Sequence, residues 1–126
     1  MANILIVDDS RTSRRILRGI LESAGHVIVG EAVNGEDGFI QYKELHPDIV
    51  TMDITMPKMD GIEALELIKH ENSAAVVIMI TAAGQQNKVV EAIRAGAREF
   101  LTKPFDDEEI IKAVNEVAQG LGTENQ

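Results

Sequence analysis

Five short runs of Ile, Leu and Val, separated by helix-sized segments, are the feature that most constrains the fold of this chain. The runs are apolar throughout instead of alternating with polar residues, which is typical of strands buried on both faces of a sheet. They cover residues 3–7, 27–32, 48–52, 76–80 and 99–102. Strands of this kind pair in parallel and are covered by helices on both sides.

Between the runs, apolar residues recur at the three- and four-residue spacing of one helix face. These residues are Ile16, Leu17, Ile20, Leu21 and Ala24, then Ile62, Leu65 and Ile68, then Val89, Val90 and Ile93, and finally Ile110, Ile111, Val114 and Val117. The segment 35–45 predicts a fifth, weaker helix. Gly25 and Gly96 stand where helices commonly end in a left-handed residue. The pattern predicts one doubly wound α/β domain with five parallel strands and five helices.

Length and composition limit the organisation of the chain. Its 126 residues, 44% of them hydrophobic, suffice for one core, so we expect one domain over residues 1–120 and a polar tail over 121–126. The absence of cysteine excludes disulfides, zinc–cysteine sites and thiol nucleophiles. Because no apolar run is long enough to cross a bilayer and no basic leader precedes the first strand, we expect a cytoplasmic protein without a membrane partner.

The charge balance argues against a polyanionic partner. Twelve Lys and Arg against twenty-one Asp and Glu give a net charge of −9, which repels nucleic acid, and only 3% of residues are aromatic and able to stack on bases. We interpret the basic residues of the first helix as a solvated face and the histidines, which lack metal-ligand spacing, as surface residues. These residues are Arg11, Arg14, Arg15 and Arg18, and His26, His46 and His70.

Polar residues follow four of the five predicted strands at the point where each strand ends. The first run is followed by Asp8 and Asp9, the third by Asp53, the fourth by Thr81 and the fifth by Lys103. In an open parallel sheet, ligands bind at the carboxyl ends of the strands. If the first and third strands are neighbours, three carboxylates, one hydroxyl and one ammonium converge on one edge of the sheet.

Such a group of carboxylates requires a counter-charge. Two like charges about 5 Å apart repel by roughly 3 kcal/mol at an effective dielectric of about 20. Lys103 supplies one positive charge, and a divalent ion would supply two more. Oxygen ligands without His or Cys favour Mg²⁺, with Mn²⁺ and Ca²⁺ as alternatives. A metal, an ammonium and a hydroxyl around a carboxylate suit phosphoryl transfer, with Asp53 as the nucleophile and an aspartyl phosphate as the product.

Five motifs, in order along the chain, resemble the receiver domain of bacterial response regulators. They are Asp8-Asp9, the segment 51–57 around Asp53, Gly61, Thr81-Ala82, and Lys103-Pro104-Phe105. The resemblance spans essentially the whole chain. It implies the flavodoxin-like strand order 2-1-3-4-5, in which the first and third strands are neighbours.

The resemblance also implies a ligand set for Mg²⁺. Asp53 is expected to accept the phosphoryl group and to bind the metal. Asp9 is expected to be a direct metal ligand and Asp8 to act through a water molecule. The backbone carbonyl of Thr55 would complete the protein ligands.

A second set of implied roles concerns the phosphoryl group and the switch. Lys103 and the Thr81 hydroxyl are expected to hold the phosphoryl oxygens, and the peptide bond before Pro104 is expected to be cis. Phosphorylation should draw Thr81 toward the new charge. Phe100, on the fifth strand, should then move into the vacated space and remodel the face formed by the fourth helix, fifth strand and fifth helix.

Within the family, the chain is most similar to stand-alone chemotaxis response regulators, on the segments 51–57 and 81–86 and on its lack of an output domain. This implies a monomeric signalling switch, and not an enzyme beyond its own phosphorylation and dephosphorylation. The phosphodonor would be a histidine kinase and the target a protein such as the flagellar motor switch. The alternatives are a phosphorelay intermediate outside chemotaxis and a haloacid-dehalogenase-type phosphatase, which would need an acidic residue in place of Thr55.

Overall fold

A computed structural model of the chain describes residues 1–104 and 106–124, except for the side chains of Gln86 and residues 121–124. Strands and helices alternate along it. The strands are β1 (Asn3–Val7), β2 (Val27–Ala32), β3 (Ile49–Met52), β4 (Val77–Thr81) and β5 (Glu99–Thr102). The helices are α1 (Arg11–Ser23), α2 (Gly35–Leu45), α3 (Gly61–Glu71), α4 (Val89–Arg94) and α5 (Asp107–Glu124), with a 3₁₀ turn at Gln86–Lys88.

The strands form one parallel sheet in the order β2-β1-β3-β4-β5, which confirms the predicted fold class and strand order. The bounds of β1, β2, β5 and α2 match the prediction, whereas β4 lies one residue later, so that Thr81 is its last residue. Helix α5 extends to Glu124, four residues into the segment expected to be a tail. Asn125 and Gln126 lie outside the described residues.

Alternation along each strand divides the core into two layers. In β1, Leu5 and Val7 pack toward α2, α3 and α4, whereas Ile4 and Ile6 pack toward α1 and α5. The side chains of both layers are almost fully buried, as the uniformly apolar runs predict. In the described part of the chain, no helix combines the length and hydropathy needed to span a bilayer.

Two helix faces differ from the sequence prediction. Val90 and Ile93 of α4 are 60% and 51% exposed, and Ala92 is the buried residue of this helix. The small Ala92 side chain lets the short helix lie close to the sheet, and this turns the two larger side chains outward. In α1, Ile16 is likewise exposed, whereas Leu17 is buried.

The interpretation of His26 as a surface residue is wrong, because this side chain is buried. The Ala2 amide donates to His26 Nδ1 at 3.0 Å, and Nε2 lies 2.8 Å from Asn115 Oδ1. With Nδ1 accepting, Nε2 carries the proton and donates to Asn115. The ring therefore joins the start of the chain to α5 at the amino ends of the strands, away from the predicted site at their carboxyl ends.

Gly61 allows the loop after β3 to fold closely against the end of that strand. Its amide donates to the Ile54 carbonyl at 2.7 Å. A Cβ atom on this glycine would collide with the backbone carbonyl of Asp53. The motif residue Gly61 therefore fixes the backbone around Asp53 by the absence of a side chain.

We expect Gly61→Ala to lower the free energy of unfolding by about 2 kcal/mol, because backbone must move to admit the methyl group. Gly19→Ala is the matched control: nothing lies within 4 Å of its Cβ position inside α1. This control should raise stability by about 0.5 to 1 kcal/mol, since alanine favours a helix interior. Urea denaturation measures both, and equal stability of the two variants would contradict the close approach at Gly61.

Candidate functional site

Three carboxylates meet at the edge formed by the carboxyl ends of the central strands. One oxygen from each of Asp8, Asp9 and Asp53 lies within 4.8 Å of the others. The strands β1 and β3 are neighbours, and Val7 pairs with Met52, so the residues that follow them are adjacent. Asp8 and Asp53 are only 5% and 8% exposed, whereas Asp9 is exposed. The predicted convergence of the three carboxylates is confirmed.

Lys103, which follows β5, reaches into this cluster. Its Nζ lies 3.0 Å from Asp8 Oδ2 and 3.6 Å from Asp53 Oδ2, and it donates to Ser13 Oγ at 3.3 Å. The peptide bond between Lys103 and Pro104 is cis. The ammonium thus bridges the two buried carboxylates and ties them to α1.

The Asp53 side chain has two distinct oxygens. Oδ1 accepts from the Ile54 amide at 2.8 Å, and Oδ2 faces Lys103. Burial raises the pKa of Asp53 above its ordinary value, and the negative charges of Asp8 and Asp9 add to the rise. The Lys103 charge and the Ile54 amide lower the pKa without cancelling these effects. The rise in the pKa of Asp53 therefore comes mainly from the loss of hydration around its carboxylate.

This arrangement suits a hard divalent cation. The donors are carboxylate oxygens, and the three formal negative charges of the cluster exceed the one positive charge that Lys103 supplies. Asp8, Asp9 and Asp53 therefore fit Mg²⁺ as ligands. Thr55 lies exposed in the loop that follows Asp53, and its role as a carbonyl ligand stays a prediction.

Thr81 and Phe100 lie on β4 and β5, on the face of the sheet that α4 covers. Thr81 is fully buried, and its Oγ1 makes no hydrogen bond to the part of the chain that the structure describes. Met79 pairs with Phe100, and Thr81 lies two residues further along β4, so Thr81 and Phe100 are diagonal neighbours on one face. The half-buried Phe100 packs against the core layer that contains Met79 and Ala92. A buried hydroxyl without a partner is available to an acceptor that arrives at the site.

Helix α1 supports the acidic residues through contacts that the sequence motifs do not indicate. Asp8 Oδ1 accepts from the Ser10 amide at 2.8 Å, and Arg14 Nη1 donates to the Asp8 carbonyl at 2.7 Å. The interpretation of Arg14 as part of a solvated face is wrong. Its spacing was the available signal, because it stands three residues before Leu17 and seven before Leu21, on the buried face of the helix.

The raised pKa of Asp53 predicts how stability depends on pH when divalent ions are removed with EDTA. Because the folded pKa exceeds the unfolded one, the folded protein binds the proton more tightly, and the free energy of unfolding falls as pH rises through this interval. Asp53→Asn removes the ionisation with little change in shape. We expect this variant to be more stable than the wild type at pH 7.

The advantage of Asp53→Asn should disappear below about pH 3.5, where the wild-type carboxyl is neutral in both states. Urea denaturation at the two pH values checks the sign. A wild type more stable than the variant at pH 7 in EDTA would show that Lys103 and the Ile54 amide outweigh burial.

Most of the chain is similar in sequence to proteins of one known family. A family profile described as response regulator receiver domain matches residues 4–115. The chemotaxis protein CheY of Thermotoga maritima is 47% identical over 116 residues, which are 92% of this chain and 97% of that protein. The chemotaxis protein CheY of Bacillus subtilis is 49% identical over 112 residues, with 89% and 93% covered.

A solved structure gives the same result for the backbone. It is the crystal structure of a CheX-CheY-BeF3-Mg²⁺ complex from Borrelia burgdorferi, with a TM-score of 0.87, 43% identity, and coverage of 91% of this chain and 87% of that one. The match to receiver domains argues against the phosphatase alternative, because members of this family are signalling switches and not classical enzymes. Sequence and backbone agree with the geometry of the strand ends, and the chain belongs to the response regulator receiver domain family.

Proposed function

We propose that this receiver accepts a phosphoryl group on Asp53 from the phosphohistidine of a kinase in a Mg²⁺-dependent reaction. The observation that carries the proposal is the environment of the Asp53 carboxylate. It is buried beside two further carboxylates, fixed at Oδ1 by the Ile54 amide and faced at Oδ2 by Lys103. A nucleophile needs this combination of fixed position and charge compensation.

Each residue of the cluster has a part in the proposed reaction. Asp8, Asp9 and Asp53 hold Mg²⁺, which supplies positive charge against the phosphoryl oxygens when bound. An ionised Asp53 oxygen attacks phosphorus, the P–N bond to the donor histidine breaks, and the imidazole leaves with the bonding electron pair and takes up a proton from water. Because the nucleophile is already ionised, no general base is required. Lys103 stays within reach of the transferred oxygens and stabilises their charge.

Thr81 and Phe100 carry the signal in this proposal. The new phosphoryl oxygens accept a hydrogen bond from Thr81 Oγ1, which has no partner in the described residues. Movement of Thr81 changes the space next to Phe100, its diagonal neighbour. The exposed apolar residues Val90 and Ile93 of α4 lie beside this region and would form part of the face that a target protein contacts.

We assign the protein to chemotaxis because relatives at 47% and 49% identity are named chemotaxis protein CheY and match over nearly their full lengths. A histidine kinase is the proposed phosphodonor and a protein such as the flagellar motor switch the proposed target. The protein would act as a monomer in the cytoplasm, where a histidine kinase draws its phosphate from ATP. A solved relative in complex with CheX shows that a protein of this fold binds other proteins.

Intact-mass measurement tests the chemistry. With acetyl phosphate and Mg²⁺, the wild type should gain the mass of one phosphoryl group, and Asp53→Asn should gain none because the nucleophilic oxygen is gone. Asp48→Asn is a matched control, since its exposed carboxylate binds the Asn3 amide at the opposite edge of the sheet. If the wild type gains no mass, or Asp53→Asn gains as much as the control, the proposal fails.

Thr81→Val tests the switch separately from the chemistry. The variant keeps the shape of the side chain and removes the hydroxyl, so it should bind beryllofluoride about tenfold more weakly through loss of one charge-assisted hydrogen bond. At saturation, the beryllofluoride-dependent shift of the Phe100 ring resonances should be strongly reduced. Thr102→Val, at the paired position of β5, should retain both affinity and shift. A full Phe100 response in Thr81→Val would rule out this route.

A further inference from the structure

Arg14 is a nearly buried cation of α1 that the proposed reaction does not use. Its side chain is only 13% exposed. Arginine is rarely buried to this degree without partners that use its planar array of donors. Its contacts therefore indicate what it does.

The Arg14 guanidinium joins the segment that follows β1 to strand β2. Nη1 donates to the backbone carbonyl of Asp8 at 2.7 Å, and Nε donates to Glu31 Oε1 at 3.1 Å. Glu31 belongs to β2, and its second oxygen lies 3.3 Å from Arg18 Nη1. Arg14 is thus held in one orientation by β2 while it binds the backbone that carries the first acidic residue.

This contact falls where the β1 ladder ends. The pairing of β1 with β2 stops at Val7 and Ala32, and the Asp8 amide makes one more bond, to the Ala32 carbonyl at 3.0 Å. The Asp8 carbonyl is taken by Arg14. Both sides of the Asp8 backbone are therefore fixed, by β2 through the amide and by α1 through the carbonyl, directly before the exposed Asp9.

We propose that Arg14 is a positioning residue of the acidic cluster, holding the Asp8–Asp9 segment beside Asp53 so that the three carboxylates could together hold one divalent cation. The inference rests on the proposed function, because it concerns the same cation site. Arg14 acts through the backbone of Asp8 and touches neither the cation nor the phosphoryl group.

The direction in which loss of Arg14 changes Mg²⁺ affinity distinguishes a positioning role from a simple effect of its positive charge. A nearby positive charge repels Mg²⁺, so Arg14→Gln would tighten Mg²⁺ binding if charge were its only contribution. Loss of positioning weakens binding instead, and loss of a residue that orients metal ligands typically costs about tenfold in affinity. The two explanations therefore predict opposite changes.

Calorimetric titration with Mg²⁺ alone, with circular dichroism to confirm folding, measures the change. We expect the Mg²⁺ dissociation constant of Arg14→Gln to rise about tenfold. Arg15→Gln is the matched control, because it removes the same charge from an exposed neighbour on α1 and should leave affinity unchanged or slightly tighter. Arg14→Lys keeps the charge but not the fork that binds both Asp8 and Glu31, so it should also weaken binding.

The outcomes are distinct. Unchanged or tighter Mg²⁺ binding in both Arg14 variants would overturn the positioning role while leaving the proposed function intact. A wild type that binds no Mg²⁺ and gains no phosphoryl mass would overturn the proposed function itself. If Arg14→Gln does not fold, Arg14→Lys decides the question by the same titration.

Discussion

The repulsion among Asp8, Asp9 and Asp53 is the constraint around which the rest of this structure is arranged. Two of these carboxylates are buried, and their charges can be tolerated only because Lys103 lies within 3.6 Å of both. A buried carboxylate that loses its partner costs several kcal/mol, so the cluster is a stability liability for the protein without its cation. Burial raises the pKa of Asp53, and the charges of Asp8 and Asp9 add to the rise. In the proposed function, a divalent cation at this cluster would relieve the repulsion among the three carboxylates.

The sheet topology brings Asp8, Asp9 and Asp53 together. In the order β2-β1-β3-β4-β5, β1 and β3 are neighbouring interior strands, and their carboxyl ends point the same way. Residues that follow them must be neighbours whatever their chemistry. The glycine at position 61 adds to this, because the loop after β3 can approach the Asp53 carbonyl only without a Cβ atom. Fold and site are therefore specified by the same few residues.

Features of the structure that leave a periodic pattern in the sequence were predictable, and features that depend on single long-range contacts were not. Strand positions and the convergence at their ends were predictable, because uniformly apolar runs imply a parallel sheet and a parallel sheet aligns its ends. The outward face of α4 was not, because the spacing of Val90 and Ile93 is that of a helix but does not say which side meets the sheet. His26 was misjudged because its partners are a backbone amide and a residue 89 positions away. The partners of Arg14 are a backbone carbonyl and Glu31 of β2, so its spacing from Leu17 could indicate that it is buried but not what it binds.

Because residues of the site face both core layers, a charge at Asp53 on one face of the sheet could affect Thr81 and Phe100 on the other face. Asp8 and Lys103 contact α1 through Arg14 and Ser13, on the side that α1 and α5 cover. Thr81 continues the alternation of Met79 and therefore faces the layer of α4, where Phe100 also packs. The edge of the sheet is the place where these two sides meet. In the proposed function, a phosphoryl group on Asp53 would add charge on the α1 side, and the Thr81 hydroxyl on the α4 side would respond to it, so the signal would cross the sheet at the carboxyl ends of its strands.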